Sequence, residues 1–190
     1  MLNTGAGIPI VSTRYNLDAD PFNRGDANDT GVPAVEDYDS PIYDEFWETA
    51  IELGLPLSFH ILTTKSDRTR GPAISSFLSI VRGCQDIMAM LVFGGVFERH
   101  PGLKVVCVEA DAGWVPHFMY RMDHAFNRHR YWLKPGADLT RLPSEYFAEH
   151  IYVTFQDDWT AFRFADAMNS KRLIGVTLSS VPVSGSSVLR

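Results

Sequence analysis

Short apolar runs and helix-patterned segments alternate along most of the chain. Apolar or β-branched runs predict strands at 55–62, from 103 onward, at 151–158 and at 172–177. Apolar residues at helical spacing predict helices over 41–54, 73–102 with an interruption near Gly94-Gly95, 115–133, 143–150 and 159–170. Strict alternation of strand and helix predicts a parallel sheet covered by helices, either doubly wound or a (β/α)8 barrel.

The first helix and the segment before it differ sharply in composition. Residues 1–34 are rich in Asp, Asn, Gly and Pro after one short apolar run, which predicts an irregular N-terminal arm. Order resumes at Ser40 and Pro41, a pair that suits an N-cap and the first helical turn. The apolar residues that follow at helical spacing are Ile42, Phe46, Ala50 and Leu53.

Composition narrows the class of protein. With 190 residues, 45% of them apolar, the chain can bury one substantial core. The net charge of -6 and the lack of a basic face argue against a nucleic-acid partner and favour a small molecule. No secretory signal is visible, and the longest apolar stretch, 87–97, is too short to span a membrane, so we expect a cytoplasmic protein. Cys84 and Cys107 have no metal-site spacing and are predicted to be core residues.

Polar groups stand at the C-terminal ends of the predicted strands. They are His60, then Glu109 with Asp111, then Asp157 with Asp158. The carboxyl ends of parallel barrel strands share one rim, where active sites lie, so these groups could form a metal or acid–base site. Dinucleotide and P-loop signatures are absent from the sequence, which argues against nucleotide-binding folds.

Four stretches of the chain are distinctive: "LGLPLSFH", "FERHPGLKVV" with the following "GWVP", "PSEYFAEHIYVTFQDD" and "KRLIG". They resemble the amidohydrolase-related family, the branch of the amidohydrolase superfamily that includes aminocarboxymuconate-semialdehyde decarboxylase and the resorcylate-type decarboxylases. The first two stretches are the most specific. The resemblance covers roughly residues 35–175 and implies an α/β fold. Specifically, it implies a partial (β/α)8 TIM barrel, approximately strands five to eight with their helices, over residues 35–177.

The resemblance also implies a divalent metal, zinc or manganese, at the C-terminal rim. In the family an HxH pair on the first strand, a His on the fifth and an Asp on the eighth hold it, and "LPLSFH" matches the fifth strand. His60 is therefore expected to be a metal ligand. Glu109 stands where the decarboxylases carry a catalytic His, so Glu109 and Asp111 are the expected catalytic residues.

The sequence departs from the family pattern in two places. No HxH pair occurs anywhere, and after "KRLIG" the family's Asp is missing. Residues 178–190 read as a divergent or disordered tail, and the matched segment corresponds to about half a barrel. These departures favour a truncated family member, whose unpaired sheet edges would invite self-association into a homo-oligomer.

Three functional hypotheses follow. The leading one is a metal-dependent hydrolase or non-oxidative decarboxylase of a small carboxylate, with an aromatic ring as one option. The alternative is a catalytically inactive half barrel that self-associates or binds a partner. In the third hypothesis, other residues replace the missing metal ligands. Asp18, Asp20 and Asp26 are candidates, although no spacing supports them.

Several other polar and aromatic residues have simpler structural explanations. At least one of Asp157 and Asp158 is expected to cap a helix. Trp114 and Trp159 could line a substrate pocket or pack in the core. The remaining residues are expected to be solvated on a helix face (His117, Arg121, His124, Arg128) or structural at the opposite rim (His100, His150).

Overall fold

A six-stranded sheet organises the molecule. The structure is a computed structural model, and it describes residues 2–4, 8–10, 37–61, 74–78, 80–132 and 138–175. The strands are β1 (Leu2–Thr4), β2 (Ile8–Ile10), β3 (Leu57–His60), β4 (Val105–Val108), β5 (Ile151–Phe155) and β6 (Leu173–Gly175).

The strands lie in chain order across the sheet. β1 and β2 are antiparallel, and each later pair is parallel, so the predicted parallel sheet is confirmed for β2 to β6. The register aligns His60 with Val108 and Cys107 with Val153. The carboxyl ends of β3, β4 and β5 therefore reach the same edge. Within the described residues, β1 and β6 are the edge strands and the sheet is open.

Helices fill the connections between the parallel strands, as the alternating pattern predicts. They are α1 (Asp44–Glu52), α2 (Ile74–Phe77), α3 (Ile80–Phe93), α4 (Val96–Arg99), α5 (Val115–His129), α6 (Pro143–His150) and α7 (Trp159–Arg163). Short 3-10 turns cover Pro41–Tyr43, Ala165–Ala167 and Ser170–Arg172. The interruption expected at Gly94-Gly95 separates α3 from α4, with Gly95 in the left-handed region at φ 72°.

The two faces of the sheet have different neighbours. Alternate residues of β3, β4 and β5 join the helices in one apolar core: Leu57, Phe59, Val105, Cys107, Ile151 and Val153. Cys84 and Cys107 are buried in this core, as predicted. The intervening residues form the second face, here called the inner face, which carries Ser58, His60, Val106, Tyr152 and Thr154.

The buried side of α1 differs from the apolar stripe seen in the sequence. Trp47 and Ala50 are buried, whereas Ile42 and Leu53 are 70% and 65% exposed. Tyr43 and Ile51 pack against the core from the same side as Trp47. The start of the helix agrees with expectation, because the Ser40 side chain accepts a hydrogen bond from the Ile42 amide at 3.4 Å.

The predicted N-terminal arm is not irregular throughout. Residues 2–4 and 8–10 form the β1–β2 hairpin, and Ile10 aligns with Ser58 of β3. Backbone pairing to an existing strand explains this difference, since such short strands need no periodic pattern of their own. The rest of the arm, the loop after β3 and the tail 178–190 lie outside the described residues, and so do Asp18, Asp20 and Asp26.

The opposite rim carries structural histidines, as predicted. Buried His100 contacts Glu48 through Nδ1 and Asp44 through Nε2, the latter at 2.9 Å. His150 stacks on Phe97 with ring centroids 4.6 Å apart. Burial lowers the pKa of His150, which favours a neutral ring.

An apolar cavity of about 250 Å³ opens near the N-terminal ends of β3 and β4. Pro56, Val106, Tyr152 and Ile174 are among its lining residues. It therefore lies at the other end of the strands from His60. None of the helices in the described part of the chain combines the length and apolar character of a membrane-crossing segment.

Candidate functional site

His60 and Glu109 meet at the carboxyl end of the sheet. His60 is the last residue of β3, and Glu109 follows β4 directly. Nε2 of His60 lies 3.1 Å from Oε2 of Glu109, and their side chains are 31% and 29% exposed. The two groups that the sequence places at neighbouring strand ends therefore touch, and solvent can reach both.

The second nitrogen of His60 fixes its tautomer. Nδ1 lies 2.7 Å from the carbonyl oxygen of Ile61. A carbonyl oxygen can only accept, so Nδ1 carries the proton and donates it. In the neutral ring Nε2 then presents a lone pair to the Glu109 carboxylate. Two acceptors do not attract, so the contact is favourable only with a cation between them: a proton on Nε2 or a metal ion.

The distance between the pair suits two ligands of one metal. Zinc-type bonds of about 2.1 Å from a His nitrogen and a carboxylate oxygen place the two atoms roughly 3.0 to 3.4 Å apart. The observed 3.1 Å lies in that range. A catalytic site needs about three protein ligands, however, and among the described side chains no group of three His, Cys, Asp or Glu residues is arranged to hold an ion. His60 and Glu109 thus fit part of a metal site.

The backbone at Glu109 has an unusual conformation. Its φ is 60°, in the left-handed region that residues with a Cβ rarely adopt. Its amide donates to Oγ1 of Thr154 at 2.8 Å. Thr154 lies on β5, faces the inner side of the sheet and is 3% exposed. Thr154 is not among the residues that the sequence predicts for the site, because threonine is an ordinary strand residue.

Two aspartates bind the loop after β4 to the loop after β5. Oδ2 of Asp158 accepts from the amides of Ala112 and Gly113 at 2.8 and 2.5 Å, and its Oδ1 accepts from Ala161 at 3.1 Å. In the other direction, Oδ1 of Asp111 accepts from the Gln156 amide at 3.4 Å. Asp158 is thus the N-cap of α7, as expected, and it also holds the turn that follows Glu109.

The candidate residues therefore divide into two groups. His60 and Glu109 form a contact, whereas Asp111, with φ 53°, turns its carboxylate toward the loop after β5. Trp114 is a packing residue, since its indole donates to the Ala110 carbonyl at 2.8 Å and its ring packs edge-on against Phe118. Trp159 is 73% exposed.

Comparison with known proteins supplies the family. A family model described as amidohydrolase matches residues 24–174. Gamma-resorcylate decarboxylase of Polaromonas sp. (strain JS666 / ATCC BAA-500) is 28% identical over 148 residues, which cover 74% of this chain and 43% of that protein.

Solved structures show the same fold at lower identity. The 5-carboxyvanillate decarboxylase of Sphingomonas paucimobilis matches with a TM-score of 0.67 and 16% identity, covering 91% of this chain and 48% of that one. The same enzyme of Novosphingobium aromaticivorans, solved with manganese, matches with a TM-score of 0.62 and 17% identity, over 76% of this chain and 44% of that one. A 2,6-dihydroxybenzoate decarboxylase from Rhizobium gives 0.55 and 22%, over 79% and 47%.

This chain spans a little under half the length of these relatives, between 43% and 48%. The similarity nevertheless includes β3, β4 and β5, the helices that follow them and the first two residues of β6, because the family model runs from residue 24 to residue 174. It also includes both members of the His60–Glu109 contact. The chain belongs to the amidohydrolase family.

Proposed function

We propose that this chain has the chemistry of a metal-dependent decarboxylase acting on a small aromatic carboxylate. The observation that carries the proposal is the His60–Glu109 contact, in which Nε2 of the imidazole faces a carboxylate at 3.1 Å at the carboxyl end of the sheet. The relatives described above, decarboxylases of aromatic acids, favour decarboxylation over hydrolysis and an aromatic substrate over other carboxylates. None of them supports the alternative of a catalytically inactive half barrel that self-associates or binds a partner.

In this proposal His60 and Glu109 hold a divalent ion together with ligands from outside the pair. Manganese is the first metal to test, because the Novosphingobium relative was solved with it. A bound divalent ion supplies positive charge that stabilises a carboxylate substrate and its developing negative charge. Asp111 and Asp158 keep the loop around Glu109 in place. Glu109 has the further role of orienting the substrate or moving a proton at its own carboxylate.

The position in the barrel is part of the same proposal. β3 corresponds to the family's fifth strand, because it ends in the "LPLSFH" motif. β4, β5 and β6 then correspond to the sixth, seventh and eighth strands, in agreement with their parallel order. The homo-oligomer expected from open sheet edges remains a prediction.

The proposal is tested by adding 2,6-dihydroxybenzoate or 5-carboxyvanillate to the purified chain with Mn²⁺ or Zn²⁺ and following loss of CO₂ by chromatography of the product. We expect activity that a chelator removes and Mn²⁺ restores. His60→Ala should weaken Mn²⁺ binding by more than about 100-fold, since even indirect partners of metal ligands are worth 10 to 100-fold.

The matched control is His124→Ala, which removes a histidine from α5 and should leave metal binding unchanged. A chain that binds neither ion and converts neither acid would contradict the proposal. Metal binding that survives His60→Ala would contradict the assignment of His60 as a metal ligand. Other residues would then have to hold the metal for the same reaction.

A further inference from the structure

The hydroxyl of Thr154 lies beside Glu109, at the point where the chain leaves the sheet after β4. The register between β4 and β5 runs to the Cys107–Val153 pair. Beyond it, the Glu109 amide bonds to the Thr154 side chain at 2.8 Å. Glu109 has φ 60° at this point, so the chain turns away from the extended path of β4.

This turn determines where the Glu109 carboxylate lies. A residue with extended φ would continue the alternation of β4, but the left-handed conformation carries the side chain to 3.1 Å from Nε2 of His60 on the neighbouring strand. Left-handed backbone is unfavourable for a residue with a Cβ. The turn must therefore be held in place, and the Glu109 amide, at which the turn begins, is bonded to the Thr154 side chain.

The surroundings make Thr154 a fixed acceptor. It is 3% exposed, and it belongs to β5, which is paired on both sides. Water has little access to replace its hydroxyl, and a partly buried amide that loses its acceptor is destabilised. The hydroxyl is thus coupled to the conformation of Glu109.

We infer that Thr154 is a positioning residue: its hydroxyl anchors the Glu109 amide where the chain leaves β4 and so keeps the Glu109 carboxylate against His60. The value of this position for metal binding rests on the proposed function. The hydrogen bond and its effect on the backbone do not.

The test compares Thr154→Val, which keeps the shape but loses the acceptor, with Thr154→Ser, which keeps the hydroxyl. Thr49→Val is the matched control, because it makes the same change at an exposed position of α1. Amide hydrogen exchange at Glu109, followed by NMR, reports the hydrogen bond. Mn²⁺ affinity, measured by electron paramagnetic resonance of the free ion, reports the site.

We expect Thr154→Val to speed exchange at Glu109 by at least about 10-fold and to weaken Mn²⁺ binding by roughly 10 to 100-fold, as Glu109→Gln does. Thr154→Ser and Thr49→Val should stay close to the natural chain. The double variant of Thr154→Val and Glu109→Gln should bind Mn²⁺ no more weakly than Glu109→Gln alone, because both changes remove the same contribution to binding.

Unchanged exchange and unchanged Mn²⁺ affinity in Thr154→Val would overturn the inference. Fully additive losses in the double variant would also overturn it, because Thr154 would then act through general stability. If the natural chain binds no Mn²⁺, the proposed function fails. In that case exchange at Glu109 and the His60–Glu109 distance in a crystal structure of Thr154→Val decide the inference, which fails if exchange is unchanged and the two side chains stay about 3.1 Å apart.

Discussion

The carboxylate of Asp158 joins two loops at the carboxyl end of the sheet. Asp158 accepts hydrogen bonds from three backbone amides, two in the loop after β4 and one in its own helix. Because one side chain serves both loops, the loops must lie very close together. Gly113 is at the point of closest approach, where an added Cβ would lie 2.7 Å from Cβ of Thr160 and 2.8 Å from Oδ1 of Asp158.

Gly113→Ala should therefore destabilise the protein, by about 1 to 3 kcal/mol, the usual range for overpacking. Gly175→Ala is the control, since the nearest atom to a Cβ there, among the described residues, is 3.6 Å away in the ring of Phe155. Urea unfolding of both variants gives the comparison. Equal stabilities would mean that the two loops separate easily, contrary to the geometry around Asp158.

The sequence predicts some of these residues and not others. His60 and Glu109 could be placed at one rim because parallel strands end at the same edge. Their contact and the left-handed φ at Glu109 could not, because both depend on how the chain turns after β4, where tertiary hydrogen bonds to Thr154 and Asp158 hold the loop. One signal was available: Thr154 is a polar residue on the same sheet face as His60.

At the scale of elements, α1 shows the limit of hydrophobic periodicity. Apolar residues occur on more than one side of this helix, and the pattern alone does not tell which side meets the core. The side that carries Trp47 meets the core. Trp47 is fully buried, and its ring packs against those of Tyr43 and Phe46. The existence of the helices and parallel strands, by contrast, follows from caps, glycines and apolar runs. Their limits follow less closely, since the helix predicted over 159–170 ends at Arg163 and gives way to 3-10 turns.

A cluster of charges joins α1 to α4 and the residue after it. His100 and Arg99 both contact Asp44, and Arg99 also donates to the carbonyls of Gly94 and Asp39. Burial acts to raise the pKa of Asp44, but hydrogen bonds from His100 and Arg99 outweigh it and lower that pKa. The folded state therefore holds the Asp44 proton less tightly than the unfolded state does.

This linkage predicts how stability changes with pH. A lowered pKa contributes stability above the ordinary value of 3.8, and the contribution is lost as the pH falls through the lower folded value. Asp44→Asn should thus be less stable than the natural chain at pH 7 and approach it at the acid end. Urea unfolding at several pH values measures this, with exposed Glu45→Gln as control. A pH-independent difference would refute the linkage.

At the scale of the whole molecule, stability depends on the face of the sheet that meets the helices. β3 and β4 supply fully buried side chains to a core that α1 and α3 share. The parallel arrangement was predictable because strands alternate with helices. The β1–β2 hairpin was not, since three-residue strands leave no periodic pattern and are stabilised by the neighbouring strand.

Phe59 provides the test of this core. It is fully buried in β3 and packs edge-on against Tyr38 with ring centroids 5.3 Å apart. Phe59→Ala should lower the free energy of unfolding by about 3 to 5 kcal/mol. Ile42→Ala removes an exposed side chain and should change it by less than about 0.5 kcal/mol. Thermal or urea unfolding compares the two variants. Similar losses in the free energy of unfolding would mean that α1 packs against the core through the side that carries Ile42.

The left-handed conformation of Glu109 has a consequence for protein engineering. Glycine adopts positive φ without penalty, so a selection for heat resistance alone would favour glycine at position 109. Asp111 shares the positive φ, but glycine there would lose the bond from its carboxylate to the Gln156 amide. Under the proposed function, directed evolution for thermal tolerance and for turnover would therefore choose opposite residues at position 109, and a library that fixes this position would gain robustness elsewhere without that conflict.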